Sequence, residues 1–378
     1  MDNRRVKRIS ASKQERLMNF TVVITCAALL FCIPNINLFS QTSGDGAISG
    51  KVVDSAAKDG LPGVSIYLSG TTIGASSNKD GNYKIGNIPE GNYILVVSMI
   101  GYKPVMQNIT VGKGTNIKRD FSLEYKAIEM KAIVVSEQSD EYDDYFREIQ
   151  NFRNLFKKYF LGQTEFSNEC EIENIDEIVF DKKFEPSIKA SCSTPIVITN
   201  RALGYKIECV LLNFMFNIRQ EGVSCEFYPK FEELTPADES QKVKWNENRK
   251  SAFRSSLRRF LLSNVKPDLR LNNYSFVIPR ATSAYKNVPA SRLTDQINKF
   301  GSIDSTCGIY FLKFKGFLFV NNLLTDEQSM IFLPYGTAYI GSDGYPVDPS
   351  SVQATGTFAR HGVANMLPID NSYLEWER

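Results

Sequence analysis

The chain has 378 residues, enough for two domains, and its 43% hydrophobic and 23% charged residues describe a globular protein rather than a disordered one. The formal net charge is +2, yet residues 1–40 carry six basic side chains (Arg4, Arg5, Lys7, Arg8, Lys13, Arg16) against two acids (Asp2, Glu15), so the remainder is slightly acidic. That balance excludes nucleic acid as a default partner.

Residues 1–40 have the layout of a secretory signal peptide. The basic stretch ends at Arg16, an apolar run follows from Phe20 to Phe31, Pro34 breaks it, and Ser40 sets a small residue before Gln41. The run falls short of the roughly 20 residues that span a bilayer. An uncleaved anchor is the alternative, and bulky Phe31 before Cys32 suits lipoprotein processing badly. The expected location is the periplasm, the outer membrane or the cell surface. Export permits disulfides, but Cys170, Cys192, Cys209, Cys225 and Cys307 are an odd, widely spaced set without a CxxC pair. Their expected role is that of small buried hydrophobes, and no pairing follows from their spacing.

From Gly44 the chain turns to short alternating runs punctuated by Gly-bearing turns. Seven strands are expected: Ala47 to Asp54, Val64 to Leu68, Thr71 to Ser77, Tyr83 to Ile85, Tyr93 to Ile100, Gln107 to Val111 and Ile117 to Leu123. Asp80-Gly81 and Glu90-Gly91 supply residues that take a positive φ in tight turns. Short strands at near-regular spacing predict an antiparallel β-sandwich.

Gly50-Lys-Val-Val-Asp54, Gly60-Leu-Pro-Gly-Val-Ser-Ile66, Gly70-Thr-Thr-Ile-Gly74, Asp80-Gly-Asn-Tyr83 and Ile100-Gly-Tyr-Lys103 resemble the carboxypeptidase-regulatory-like domain over about residues 45–135. The resemblance implies a transthyretin-like sandwich, common in exported proteins of the Bacteroidetes and often found at the start of TonB-dependent outer-membrane receptors. It implies no catalytic residue. A zinc carboxypeptidase would need three protein ligands on its metal, and this chain has one histidine, His361. A receptor would need a barrel of many alternating strands of about ten residues, which the rest of the chain does not offer. No cofactor and no metal are expected.

An acidic linker is expected over 136–144, then an α+β domain over 145–378. Its first helix shows Tyr142, Tyr145, Phe146, Ile149, Phe152, Leu155, Phe156, Tyr159 and Phe160 in steps of three and four, a stripe that reads as core-facing rather than as an aromatic groove. Strands are expected over Ser187 to Ser193, Pro195 to Thr199, Tyr205 to Leu212 and Val223 to Tyr228. A second long helix over about 242–264 has Trp245, Ala252, Phe253, Leu257, Phe260 and Leu261 on its apolar side. Lys242, Lys244, Arg249, Lys250, Arg254, Arg258 and Arg259 are assigned to its polar side. Those seven form a candidate surface for an anionic partner. The plainer reading is a solvated face neutralised by Glu232, Glu233, Asp238 or Glu239.

The last third is strand-rich from Cys307 to Val320 and from Met330 to Leu333, with a hairpin expected around Asp343-Gly344. A last strand is expected over Ser350 to Arg360 and a short helix from Ala359 to Met366. His361 is expected to be exposed or capping. Neither a nucleophile elbow nor a Walker loop is present. Phe160-Leu-Gly-Gln-Thr164, Asn200-Arg-Ala-Leu-Gly-Tyr205, Phe231-Glu-Glu-Leu234, Trp245-Asn-Glu-Asn-Arg249 and Ser255-Ser-Leu-Arg-Arg-Phe-Leu261 resemble a recurrent companion of the regulatory-like domain in exported Bacteroidetes proteins. Gly344-Tyr-Pro-Val-Asp-Pro349 and Val363-Ala-Asn-Met-Leu-Pro368 fit the same pattern. That resemblance implies company, not chemistry.

The expected architecture is thus an N-terminal all-β transthyretin-like sandwich, followed by an α+β domain with antiparallel strands and two long amphipathic helices. The expected function is that of an exported, non-catalytic envelope protein acting through binding or structural surfaces with the regulatory-like β-sandwich as scaffold; the expected partner is another envelope protein or a glycan, with peripheral association to the outer membrane. Two alternatives stand beside it: a carboxylate-based hydrolase of glycan or peptide sited in the second domain, and docking to an anionic envelope surface through 242–264.

Overall fold

The computed structural model describes residues 45–126, 140–182, 186–219, 222–265, 274–277, 302–304, 309–323 and 325–370, with the side chains of some of these excepted. The expected signal peptide, the first part of the expected linker and Cys307 lie outside the described residues.

Alternation builds the front module as two facing sheets. One holds β1 (Gly46–Asp54) beside β4 (Asn82–Ile88), with β7 (Asn116–Lys118) and β8 (Phe121–Leu123) on the other edge of β1. The second runs in the order β3 (Gly74–Ser76), β2 (Ser65–Leu68), β5 (Gly91–Ser98), β6 (Val105–Val111). Ile48, Val52 and Ile85 from the first sheet meet Ile66, Leu68, Leu95 and Val97 from the second in one buried core. The sandwich is not wholly antiparallel. β7 and β8 run parallel to β1 because the chain leaves β6 on the far sheet and crosses back, and only such a crossover can deliver a parallel neighbour.

Helix α1 (Asp140–Phe160) starts inside the stretch expected as linker. Acidic residues are at home in a helix's first turn, so acidity alone did not separate the two. Its aromatic stripe faces inward where its side chains are described. Phe152 meets Phe180, Phe156 lies 4.6 Å from Phe214, and Tyr159 stacks on Phe216 at 4.6 Å. The sheet beneath contains β9 (Cys170–Ile172), β10 (Val179–Asp181), β11 (Ser187–Ser191), β12 (Ile196–Asn200), β13 (Tyr205–Asn217) and β14 (Gly222–Glu233). β13 lies at its centre, pairing on one side with β11 and β12 and on the other with β14 along nearly its full length.

The expected long helix is two helices, α2 (Glu239–Arg254) and α3 (Leu257–Val265). Asp238 caps the first, accepting from the Gln241 amide at 2.8 Å. The break falls at Ser255-Ser256, whose hydroxyls donate back to the carbonyls of Ser251 and Phe253. The Ser256 hydroxyl oxygen also accepts from the Arg259 amide at 3.0 Å, as an N-cap of α3 does. Serine competes for backbone hydrogen bonds, which is how two in succession end one helix and start another.

Beyond α3, one sheet orders β15 (Tyr274–Val277), β18 (Phe317–Asn322), β19 (Glu327–Phe332) and β21 (Gln353–Gly356). Another joins β16 (Ser302–Asp304), β17 (Ile309–Lys313) and β20 (Thr337–Gly341). Phe260 and Leu261 of α3 pack into their shared core with Tyr274, Leu318, Ile331 and Ile340. The short helix α4 (Thr357–Arg360) follows β21. The expected turn forms at Asp343-Gly344, where the Gly344 amide donates to the Gly341 carbonyl at 2.9 Å.

The front module is joined to its neighbour by main-chain hydrogen bonds. The Gly70 amide donates to Pro229 O at 2.6 Å, the Phe231 amide to Thr71 O at 2.9 Å and the Ile369 amide to Gly70 O at 2.8 Å. The Tyr67 hydroxyl donates to Tyr228 O at 2.9 Å, and burial raises its pKa. Tyr67 and Val96 of the module share a buried cluster with Val210 of β13. Among the described residues no helix is long and apolar enough to cross a membrane.

A candidate functional site between α1, β14 and the C-terminal segment

The seven basic residues assigned to one polar face do not share one. Arg249 and Arg259 are buried. Arg249 lies over the Tyr205 ring at 4.2 Å, donates from Nε to Leu203 O at 2.8 Å and pairs through Nη1 with Glu233 at 2.5 Å. Arg259 sits over the Tyr274 ring at 5.4 Å. Arg258 is half-buried and reaches Asp343 O through Nε at 3.0 Å. The remaining four are nearer solvent. Lys242 pairs with Glu239, Lys250 with Glu247, and Lys244 with Glu169, while Arg254 is exposed. The spacing held a signal for Arg249. Trp245, Arg249, Ala252 and Phe253 follow the i, i+4, i+7, i+8 pattern of a buried stripe.

Arg258 lines a cavity of about 320 Å³. Its walls are largely aromatic, with Tyr159 and Phe160 from α1, Phe227 from β14, Phe253 from α2 and Phe358 from α4. Polar groups enter from Ser256, Arg258, Tyr345, His361 and Asn365. Such a mixture of apolar walls and a few convergent polar groups is the usual form of a small-molecule site. Among the described residues no Asp or Glu lines it.

The segment carrying His361 and Asn365 is pinned to the end of α1. The Gln163 amide donates to Arg360 O at 2.8 Å and the Ala364 amide to Leu161 O at 3.0 Å. The approach requires glycine on both sides, since a Cβ on Gly162 would lie 2.5 Å from the Gly362 nitrogen. The Asn365 Oδ1 accepts from the Thr164 hydroxyl at 2.7 Å, and the buried Asn200 Nδ2 donates to Ala364 O at 3.0 Å. His361 is half-buried rather than exposed. Burial pushes its pKa down to about 4, with Glu327 opposing and Arg360 assisting, so its imidazole is neutral near pH 7.

The Arg258 guanidinium stands 5.2 Å from the Tyr345 ring centroid and 6.0 Å from that of Phe253. Its Nη2 reaches toward Ile369 O at 3.5 Å, and among the described residues its buried Nη1 has no hydrogen-bond partner. Burial raises the Tyr345 pKa, and the nearby Arg258 charge works against that rise. Asp343 shapes the turn by accepting from the Tyr345 amide at 3.0 Å.

Sequence reasoning did not find Phe227, Tyr345 or Asn365 as partners of Arg258, because the cavity gathers chain segments far apart in sequence. Several stretches of the second resemblance meet here: Phe160, Ser256, Arg258, Tyr345 and Asn365 all belong to them. The described cysteines, Cys170, Cys192, Cys209 and Cys225, are free thiols. Cys209 is buried and Cys225 exposed, so small-hydrophobe packing does not account for all of them. Among the described residues no three of His, Cys, Asp and Glu cluster as metal ligands would.

Over 88 residues the chain is 41% identical to TonB-dependent receptor P3 of Formosa agariphila, a match that covers 23% of this chain and 8% of the receptor. Among solved structures, BcpA, the major pilin subunit of Bacillus cereus, is 20% identical with a TM-score of 0.19, covering 22% of this chain and 30% of the pilin. The Bacillus anthracis TIE protein is 13% identical with a TM-score of 0.20, covering 50% of this chain and 32% of that one. Residues 48–135, less than half of the chain, match the family model of the CarboxypepD_reg-like domain.

Proposed function

We propose that this chain is a non-catalytic, envelope-associated protein that works by binding, with the CarboxypepD_reg-like domain as scaffold for the domain behind it. The observation that carries this reading is the junction between the two. Gly70, Thr71, Pro229, Phe231 and Ile369 exchange main-chain hydrogen bonds there, and buried backbone bonds of this kind hold a module in one pose. The likeness of an 88-residue stretch to part of a TonB-dependent receptor, together with the CarboxypepD_reg-like match at residues 48–135, supports the envelope location. The partner class is another envelope protein or a glycan, met in the periplasm or at the outer membrane.

The hydrolase reading gains no support from the cavity, which no carboxylate side chain lines among the described residues; glycoside hydrolysis needs two. Docking through the basic helix is narrowed as well, with Arg249 and Arg259 buried and Arg258 turned to Asp343. The test is fractionation of the tagged full-length chain in a Bacteroidetes host, followed by cross-linking in intact cells. Recovery with the envelope and a cross-link to an envelope component are expected. Full-length protein confined to the cytosol would overturn the proposal.

A further inference from the structure

We propose that the cavity beside Arg258 binds a small amphipathic carboxylate, with its head on the guanidinium and its apolar body among Phe160, Phe227 and Phe253. The inference goes beyond the envelope assignment and does not depend on it. The first ground is charge. Arg258 is half-buried, its hydrogen bonds run to the backbone carbonyls of Asp343 and Ile369 and to the neutral side chain of Tyr345, and the rings of Tyr345 and Phe253 flank it. Among the described residues no carboxylate pairs with it. A guanidinium drawn out of water without a counter-ion is unfavourable, and a bound anion supplies the charge that the described residues do not. The planar fork of Arg suits a carboxylate in particular.

The second ground is the company Arg258 keeps. The other polar groups of the cavity, from Ser256, Tyr345, Asn365 and a neutral His361, add hydrogen-bonding capacity without adding positive charge. One fixed cation with neutral neighbours fits a monoanion better than a phosphate dianion, which calls for more cationic donors. The third ground is size and lining. A volume of about 320 Å³ falls at the small end of ligand pockets, and aromatic walls favour a flat or branched apolar body.

Calorimetric titration of the purified full chain with 3-phenylpropionate, and with its neutral amide 3-phenylpropanamide, tests the proposal. The acid is expected to saturate one site and the amide to bind about tenfold or more weakly, the loss of one charge-assisted hydrogen bond. Arg258→Gln should bring the acid down to the level of the amide, so that the ratio of their affinities falls to about one. Because Arg258 also ties down Asp343 and Ile369, a second variant is needed. Met366→Trp, which fills the cavity and keeps the arginine, should abolish binding of both compounds. Equal affinities for acid and amide would overturn the proposal. So would undiminished binding by Met366→Trp, or no binding of the acid at millimolar concentration. Binding that emerges only after removal of residues 371–378 would make the chain's own tail the occupant, and would overturn it too.

Discussion

Burial sets the His361 imidazole at a pKa of about 4, against 6.5 for the free side chain, and this has a measurable consequence for stability. Above pH 6.5 the group is neutral in both folded and unfolded chains and contributes no pH dependence. As pH falls from 6.5 toward 4 the unfolded chain takes up a proton that the folded chain refuses. Stability is then lost at up to about 1.4 kcal/mol per pH unit. Below pH 4 both states are protonated and the loss levels off. Urea unfolding across this range should show His361→Gln losing less stability than the parent chain between pH 6.5 and 4. Parallel curves for the two proteins would mean that His361 is not sequestered. Arg249 illustrates a different use of a polar residue in the interior. Its stack on Tyr205 and its bond to Leu203 O need a planar, forked head, which lysine lacks. Arg249→Lys should therefore cost about 1–3 kcal/mol of unfolding free energy, the penalty of leaving buried carbonyls unmet. The neighbouring Lys250→Arg, at a partly exposed site, should cost less than about 0.5 kcal/mol. Equal losses in the two variants would reduce Arg249 to a surface charge.

At the scale of elements, side-chain period was readable wherever one face is buried. β1 and β4 follow their alternation closely, because one residue of slip would turn every apolar side chain outward, and the described part of α1 keeps its three-and-four stepping. Pairing was not readable in the same way. Alternation says which face of β7 and β8 is apolar but not that both run parallel to β1. The long basic helix departs from expectation for a related reason: a basic side chain reads as polar by type, yet the spacing of Arg249 places it with Trp245 and Phe253. The serine pair that divides α2 from α3 was visible as sequence, but two serines in a helical run are not by themselves a stop. The link from β12 to β13 carries a stronger local requirement. Gly204 has φ +70°, and a Cβ there would lie 2.3 Å from the Trp245 ring. Gly63 has a similar φ of +73° with open space around it. Gly63→Ala should cost only the roughly 1–2 kcal/mol of a left-handed residue. Gly204→Ala should add about 1–3 kcal/mol for overpacking against α2. Thermal or urea melts that rank the two variants equally would show that Trp245 yields without cost.

For the molecule as a whole, the sequence outlined the front module and the presence of a mixed domain behind it, but not how they meet or where a ligand could lodge. Both features depend on residues that share no local pattern. Tyr67 and Val96 look like ordinary strand positions until Val210 and Tyr228 arrive opposite them, and Arg258 looks like surface until Tyr345 and Phe253 close around it. The junction makes a claim about cooperativity. Main-chain bonds from Gly70 and Thr71 to Ile369, Pro229 and Phe231, sealed by the Tyr67–Val96–Val210 cluster, tie the fate of β2 and β5 to that of β13 and β14. Local opening is governed by how many buried contacts an element would have to give up. Hydrogen exchange of the parent chain in rising denaturant should therefore show the amides of β2, β5 and β13 converging on one opening free energy. Val210→Asp places a carboxylate against Tyr67 and Val96 in a buried, largely apolar cluster. The module and its neighbour should then open separately, with β2 and β5 following one denaturant dependence and the β11–β13 ladder another. If the parent chain already shows two unlinked transitions, the module is a passenger rather than a scaffold.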